Sequence, residues 1–218
     1  MKKVIGLFLT IILIISLSAC AAENGESSST DNNTTSQSTT TNANESEKTD
    51  TVTDQTENEI KILVVCFSAT GNTETVAEKI VEVTGADYYE IIPEQAYSED
   101  DLNYSDDDCR ANREQQDENA RPSITGGIEN IDEHEVVLIG HPIWWGIEPR
   151  IVDTFMESYD FSGKTLVNFC TSGGSGISTS TENLKALSPN ANWLEGKRFS
   201  NNADIDEIEQ WIDSLGIQ

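Results

Sequence analysis

The sequence has few of the residues that build metal centres and disulfide frameworks. Its 218 residues include only two histidines and four cysteines. Three of the cysteines, Cys66, Cys109 and Cys170, lie beyond the polar N-terminal region, and an odd number leaves no complete disulfide framework. Because Cys66 and Cys170 lie within or at the ends of apolar runs, we interpret them as buried apolar residues rather than redox thiols. The histidines, His134 and His141, are too few for a His/Cys metal cluster.

Basic side chains are also scarce. The chain has 13 Lys and Arg against 39 Asp and Glu, a formal charge of −26. From residue 61 onward there are 30 acidic and 10 basic side chains, which is a formal charge of −20. Such a charge argues against binding to nucleic acid, because the phosphates would be repelled. It is compatible with docking to a basic patch on a protein partner, and equally with a role in solubility alone.

The N-terminus has the pattern of an export signal. The basic "MKK" precedes the apolar run "VIGLFLTIILIISLS", which is too short and wrongly flanked for a stable membrane span. The small residues before Cys20 in "LSAC" resemble a bacterial lipobox. This resemblance implies that residues 1–20 are a lipoprotein signal, with cleavage before Cys20 and lipidation of its thiol. An ordinary signal peptide or an uncleaved anchor is the alternative.

Residues 21–60 are rich in Ser, Thr, Asn and acidic side chains and contain almost no large apolar residue. Such a composition cannot bury enough surface to offset the entropy lost on ordering. We therefore expect a disordered tether with a mean span of roughly 35 Å. The remaining residues, 61–218, are long enough for one domain with a substantial core.

Short apolar runs alternate with helical patterns along residues 61–218. Near-continuous apolar runs are typical of strands buried on both faces of a parallel sheet, and the alternation predicts an open α/β fold. The acidic segment 93–133 predicts one irregular helix and a surface loop. The predicted strands lie within 62–67, 88–92, 136–140, 166–170 and 192–199, and the predicted helices within 74–84, from Pro149, within 176–187 and within 204–215.

Three loops follow predicted strands and would meet at one sheet edge, where open α/β sheets bind ligands. They are Ser68–Thr73, His141–Gly146 and Thr171–Gly176. The first loop lacks the lysine of a nucleoside-triphosphatase loop and the three glycines of a dinucleotide fingerprint. Its hydroxyls and backbone N–H groups at a helix N-terminus suit one terminal phosphate.

The other two loops suit a flat aromatic ring. Trp144 and Trp145 cannot both enter a core from an extended loop, so one of them is expected to stack on a planar ligand, and we favour Trp145. The third loop is nearly all backbone, which lets a ring edge approach its N–H groups. A single phosphate joined to a large planar ring describes flavin mononucleotide, FMN.

Residues 60–217 resemble the flavodoxin family, and within it the lipoprotein or secreted flavodoxin-like proteins of bacteria. The matching stretches are "FSATGNTETVAEKI", "ARPSI", "GHPIWWGIEPRIVDTFMESYDFSGKTLVNFCTSGGSG" and "WLEGKRFS". The resemblance implies a flavodoxin-like three-layer sandwich. In it, a five-stranded parallel sheet of order 2-1-3-4-5 has helices on both faces, an order for which flavodoxin is itself the standard example.

The resemblance also implies which residues hold FMN, with no catalytic side chain and no metal. The expected phosphate ligands are Ser68, Thr70, Gly71, Asn72 and Thr73. The residues expected to flank the ring are Pro142, Ile143, Trp144, Trp145 and Gly146, and those expected at its pyrimidine edge are Thr171, Ser172, Gly173 and Gly174. No ring contact is expected from His141.

The expected function is electron transfer through bound FMN at the cell envelope. We expect the protein to be lipid-anchored on the extracytoplasmic face of the membrane and to use a redox protein or a small-molecule acceptor as partner. Stacking, backbone hydrogen bonds and nearby negative charge would set the flavin potential. The alternatives are an FMN-dependent NAD(P)H:quinone-type reductase and a non-redox lipoprotein that binds flavin or a protein.

Overall fold

The computed structural model describes residues 60–218 of the chain. The predicted signal segment 1–20 with Cys20, and the predicted tether up to residue 59, lie outside the described residues. Within 60–218, no helix combines the length and the apolar character needed to cross a membrane.

The described residues form eight strands and five α-helices that alternate for most of the chain. The strands are β1 Ile62–Cys66, β2 Asp87–Glu90, β3 Ile92–Pro93, β4 Ile124–Thr125, β5 Val136–Pro142, β6 Thr165–Thr171, β7 Asn192–Trp193 and β8 Lys197–Phe199. The helices are α1 Asn72–Thr84, α2 Arg110–Gln116, α3 Arg150–Glu157, α4 Ser178–Leu187 and α5 Ile205–Leu215, with a 3₁₀ turn at Ile131–Glu133.

The main sheet is parallel, with the order β2-β1-β5-β6-β7, and β8 also pairs with β6. Since β7 and β8 are two parts of the predicted fifth strand, this is the predicted order 2-1-3-4-5. The strand is interrupted at residues 194–196, and at Gly196 a Cβ atom would lie 2.4 Å from the backbone oxygen of Asn168. The fold class expected from the sequence is therefore confirmed.

Two apolar clusters on opposite faces of the sheet make the fold a three-layer sandwich. On one face, α1 and α5 pack through residues such as Ile80 and Ile212. On the other face, α3 and α4 pack through residues such as Phe155 and Leu184. Strands β1, β5 and β6 are almost fully buried, because helices cover both of their faces.

Several local expectations differ from the structure. Strand β2 lies at the sheet edge and is mostly exposed, so the expectation that it is buried on both faces is wrong. Helix α3 begins at Arg150 with Pro149 as its N-cap, one residue later than predicted. The acidic segment contains the expected short helix, α2, but also strand β4, which pairs antiparallel with β3 and was not predicted.

Candidate functional site

The three predicted loops meet at the carboxyl edge of the sheet because their strands are parallel neighbours. Strand β5 pairs with β1 on one side and with β6 on the other. The Ile143 N–H donates to the Thr171 carbonyl oxygen over 3.1 Å and joins the second loop to the third. The hydroxyl oxygens of Thr73 and Thr171 lie 2.8 Å apart in a buried contact, which joins the start of α1 to the third loop.

The first loop presents a row of free hydrogen-bond donors. From Ser68 to Glu74, no backbone N–H donates to another described residue, and the first helical hydrogen bond runs from Thr75 to Gly71. Gly71 caps α1 in the left-handed conformation with φ of 81°, and no side chain caps these N–H groups. Such a helix start is built to take an anion.

Side chains in and beside this loop hold it in place. The Asn72 amide donates to the Thr70 hydroxyl over 3.1 Å. The Asn72 amide oxygen in turn accepts from the Asn201 amide over 3.2 Å. Because Asn201 follows β8, this contact ties the first loop to the segment beyond the last strand of the sheet.

The tandem tryptophans lie at a tight turn that separates their roles. Trp145 and Gly146 have φ angles of 53° and 89°, and Trp144 pairs with Ile147 across them. Positive φ at both central residues is the pattern of a type I′ turn. Trp144 packs edge-on against the rings of Phe67 and Tyr97, whereas Trp145 is 65% exposed. Trp144 is thus half-buried against the core, and Trp145 is the more exposed of the two and the freer to meet a ligand.

A tryptophan in the left-handed backbone conformation costs on the order of 1–3 kcal/mol. The turn therefore needs stabilising contacts, and residues of α2 make them. The Trp145 indole N–H donates to the Asn112 amide oxygen over 2.6 Å. The Gln115 amide donates to the carbonyl oxygens of Trp144 and Glu148, each over 3.0 Å. The Gln115 amide oxygen accepts from the Arg150 N–H over 3.1 Å. The acidic segment therefore braces the tryptophan turn.

The loops enclose a cavity of about 850 Å³, within the usual range for a cofactor site. Of the predicted FMN ligands, those lining it are Ser68, Thr70, Asn72, Thr73, Pro142, Ile143, Trp144, Trp145, Thr171, Ser172 and Gly173. Gly71, Gly146 and Gly174 lie in the same loops but do not line the cavity. Their assignment as FMN ligands stays a prediction, and so does the assignment of the residues that line the cavity.

Other lining residues were not predicted. From the acidic segment they are Leu102, Tyr104, Ala111 and Asn112, and from the end of β8 they are Arg198, Ser200 and Asn201. The residues after β8 follow a parallel strand at its carboxyl end, so the rule that located the three loops applies to them too. The four residues of the acidic segment have no comparable signal, because only the tertiary path of that segment brings them here.

The charge of the cavity differs from that of the domain. None of its lining residues is Asp, Glu or Lys, and Arg198 is its one charged side chain. The negative charge expected near the flavin therefore does not come from the cavity lining. A phosphate can enter without direct contact with a carboxylate.

Beneath the tryptophan turn lies a buried polar cluster. His141 is fully buried, with Nδ1 3.0 Å from the Pro142 carbonyl oxygen and Nε2 3.1 Å from the Ser180 hydroxyl. Since a carbonyl can only accept, Nδ1 carries the proton and Nε2 accepts. Burial lowers the pKa of His141 to about 4, so the imidazole is neutral at pH 7.

Glu148 directly follows the turn and is also fully buried. Neither carboxyl oxygen of Glu148 has a hydrogen-bond partner among the described residues, and the same holds for Oδ1 of Asp153. Burial, followed by the charge of Asp153, raises the pKa of Glu148 to about 7. Arg150 lies 3.1 Å from Asp153 and pairs with that residue rather than with Glu148. Glu148 therefore carries a proton at mildly acidic pH.

Comparisons with known proteins agree with this geometry. A family model described as Flavodoxin matches residues 61–215. A protein of Bacteroides eggerthii DSM 20697, described as a flavoprotein, is 44% identical, covers 72% of this chain and 99% of its own, and has a TM-score of 0.69. A similarly described protein of Bacteroides uniformis ATCC 8492 is 38% identical, covers 71% and 98%, and has a TM-score of 0.68.

A flavoprotein of Lactobacillus acidophilus NCFM was solved in complex with FMN. It is 23% identical, covers 70% of this chain and 99% of its own, and has a TM-score of 0.55. At this identity the likeness shows a shared fold alone. No curated protein has a significant match to the chain.

The raised pKa of Glu148 predicts a pH-dependent stability. Between its usual value of 4.5 and about 7, the folded state binds more protons than the unfolded state. Its contribution to stability is therefore complete below pH 4.5 and is lost as the pH rises through 7. Glu148→Gln removes this titration. We therefore expect the unfolding free energy of the variant, relative to that of the wild type, to rise by about 2 kcal/mol from pH 5 to pH 8.

Denaturant unfolding at each pH measures this difference, with Glu157→Gln as the matched control on α3. Arg121 lowers the pKa of Glu157. Glu157 therefore contributes to folding stability above its usual pKa, and this contribution is lost only as the pH falls through the lowered value. The gap between this control and the wild type should stay level from pH 5 to pH 8. If the difference in unfolding free energy between Glu148→Gln and the wild type is also constant from pH 5 to pH 8, the pKa of Glu148 is not raised.

Proposed function

The chain belongs to the flavodoxin family, and from this premise we propose that it binds FMN and carries electrons through it at the cell envelope. The observation that carries the proposal is the row of free N–H groups from Ser68 to Glu74. These donors border a cavity whose lining has no carboxylate. This combination suits one phosphate group held by dipoles rather than by a lysine.

FMN also fits the rest of the cavity. The exposed Trp145 is available to stack on a flat ring. The N–H groups of Ser172, Gly173 and Gly174 have no acceptor among the described residues and are free to meet polar atoms at a ring edge. Thr70, Asn72 and Thr73 would hold the phosphate, together with the N–H groups of their loop.

Bound FMN supplies the one- and two-electron chemistry, and the chain supplies binding and position. Gln115 and Asn112 fix the tryptophan turn, and the Thr73–Thr171 contact fixes the distance between the first and third loops. We assign no general acid or base to the chain, and no His, Asp, Glu, Cys or Lys lines the described cavity.

We propose a carrier rather than a reductase, because the chain has no dinucleotide fingerprint. The acidic surface would steer a partner protein with a basic patch. In anaerobic mixing we expect dithionite to reduce the bound flavin at once, and NAD(P)H only over many minutes. Rapid bleaching by NAD(P)H would contradict the carrier and support an FMN-dependent reductase.

The cell-envelope location rests on the N-terminal sequence. The basic and apolar segments before "LSAC" support export, and Cys20 would carry the lipid. Two or more acyl chains give stable anchoring, and the acidic domain would lie on the extracytoplasmic side. Cell fractionation tests this location, since the protein should stay with the membrane. Fatty-acid labelling tests the anchor, since the wild type should carry the label and Cys20→Ser should not.

Removal of the two threonine hydroxyls tests the phosphate site. Thr70→Val/Thr73→Val keeps the side-chain shape and removes both hydroxyls. Because hydrogen bonds to charged groups contribute about 1.5–3 kcal/mol each, we expect the loss of two to lower FMN affinity by at least about 100-fold. Riboflavin lacks the phosphate and reports the separate cost of breaking the Thr73–Thr171 contact, so the loss of affinity for FMN should exceed the loss for riboflavin by about 100-fold. Fluorescence titration measures both constants.

Thr75→Val is the matched control. Thr75 lies on the same helix, and its hydroxyl bonds to the Gly71 carbonyl oxygen without lining the cavity. This variant should bind FMN like the wild type. An undiminished FMN affinity in the double variant, or an equal loss for riboflavin, would place the phosphate elsewhere.

A further inference from the structure

Arg198 is an isolated positive charge at the cavity. The guanidinium donates to the Ser172 carbonyl oxygen over 3.2 Å, and no carboxylate lies within ion-pair distance among the described residues. Of the other arginines, three pair with Glu or Asp, namely Arg110, Arg121 and Arg150. Arg113 donates to the Asp108 carbonyl oxygen and does not line the cavity. In a domain with three times more acidic than basic residues, an unpaired arginine at the ligand cavity has charge available for the ligand.

The neighbouring Lys197 is oriented differently. Its ammonium lies 3.1 Å from a Glu207 carboxyl oxygen and 4.9 Å from the centre of the Phe199 ring. Phe199 belongs to the cluster beneath α1 and α5. Since side chains alternate along a strand, Arg198 projects from the opposite face of β8. Lys197 is thus neutralised away from the cavity, whereas Arg198 lines it.

This alternation also separates Arg198 from the phosphate loop. Helix α1, whose start would hold the phosphate, packs on the face that Phe199 shares. Trp144 packs on the other face, which is the side to which Arg198 projects. Strand β8 is separated from β1 by β5 and β6, a distance of about 14 Å at usual strand spacing. Arg198 is therefore placed for the ring end of FMN rather than for its phosphate.

The ring end is where charge develops. Uptake of two electrons and one proton adds one negative charge to a flavin ring, whereas the phosphate charge stays constant. A cation beside the ring stabilises the reduced form more than the oxidised form. We propose that Arg198 sets the reduction potential of the bound flavin by favouring the reduced ring, an inference that rests on the proposed binding of FMN.

The test compares Arg198→Gln with the wild-type FMN complex. We expect the preference of the site for reduced over oxidised FMN to fall on the order of tenfold, which makes the two-electron midpoint potential about 30 mV more negative. Anaerobic reduction by dithionite, with a reference dye in the same cuvette, measures this potential. Fluorescence titration gives the affinity for oxidised FMN, which should change by less than about threefold.

Two further variants separate position from charge. Lys197→Gln removes the same charge one residue away, and its complex should keep the wild-type potential. Arg198→Lys retains the charge at the cavity and should restore most of the potential. If Arg198→Gln fails to fold, Arg198→Met serves as the neutral variant in its place.

Three results would overturn the inference. One is a potential that does not change in the neutral variant, and another is an equal shift in Lys197→Gln. The third is a loss of affinity for oxidised FMN with riboflavin binding intact and the potential unchanged, which would assign Arg198 to the phosphate. A wild-type protein that binds no FMN would instead refute the proposed function itself.

Discussion

Parallel pairing of β1, β5 and β6 is the constraint on which the site depends. It places the carboxyl ends of all three strands at one edge, so that loops distant in sequence become neighbours. The buried Thr73–Thr171 contact, at 2.8 Å across 98 residues of chain, then fixes the distance between the first and third loops. Without this register, the free N–H groups of the first loop would have no cavity to face.

Much of this arrangement could be predicted from the sequence, because it depends on local signals. Near-continuous apolar runs identify buried parallel strands, and polar glycine-containing loops directly after them mark the ligand edge. The exposed β2 was misjudged because an edge strand with aromatic residues has the same apolar pattern as a buried one. The hydrogen bonds by which Gln115 supports the tryptophan turn cannot be predicted from the sequence, for a different reason. They depend on how the acidic segment folds back, which no periodicity in that segment encodes.

The distribution of charge is the second determinant of the site. The domain carries a formal charge of −20, yet the lining of the described cavity has one arginine and no carboxylate. Acidic side chains on the surface keep the protein soluble and can steer a partner, while solvent screens them from the ligand. Net composition does not say which side chains face a cavity, so the negative charge expected near the flavin would have to come from residues outside the cavity lining. The potential of this protein is accordingly expected to reflect Arg198 as well as stacking and backbone hydrogen bonds.

The central claim is that the Ser68–Glu74 N–H groups hold the phosphate of FMN while the ring lies near Trp145. A crystal structure of the protein grown with FMN tests it most directly. The account predicts the phosphate oxygens within hydrogen-bonding distance of these N–H groups and of the Thr70 and Thr73 hydroxyls, with the ring between the second and third loops. A flavin bound elsewhere, or a cavity filled by side chains of the protein itself, would contradict the account.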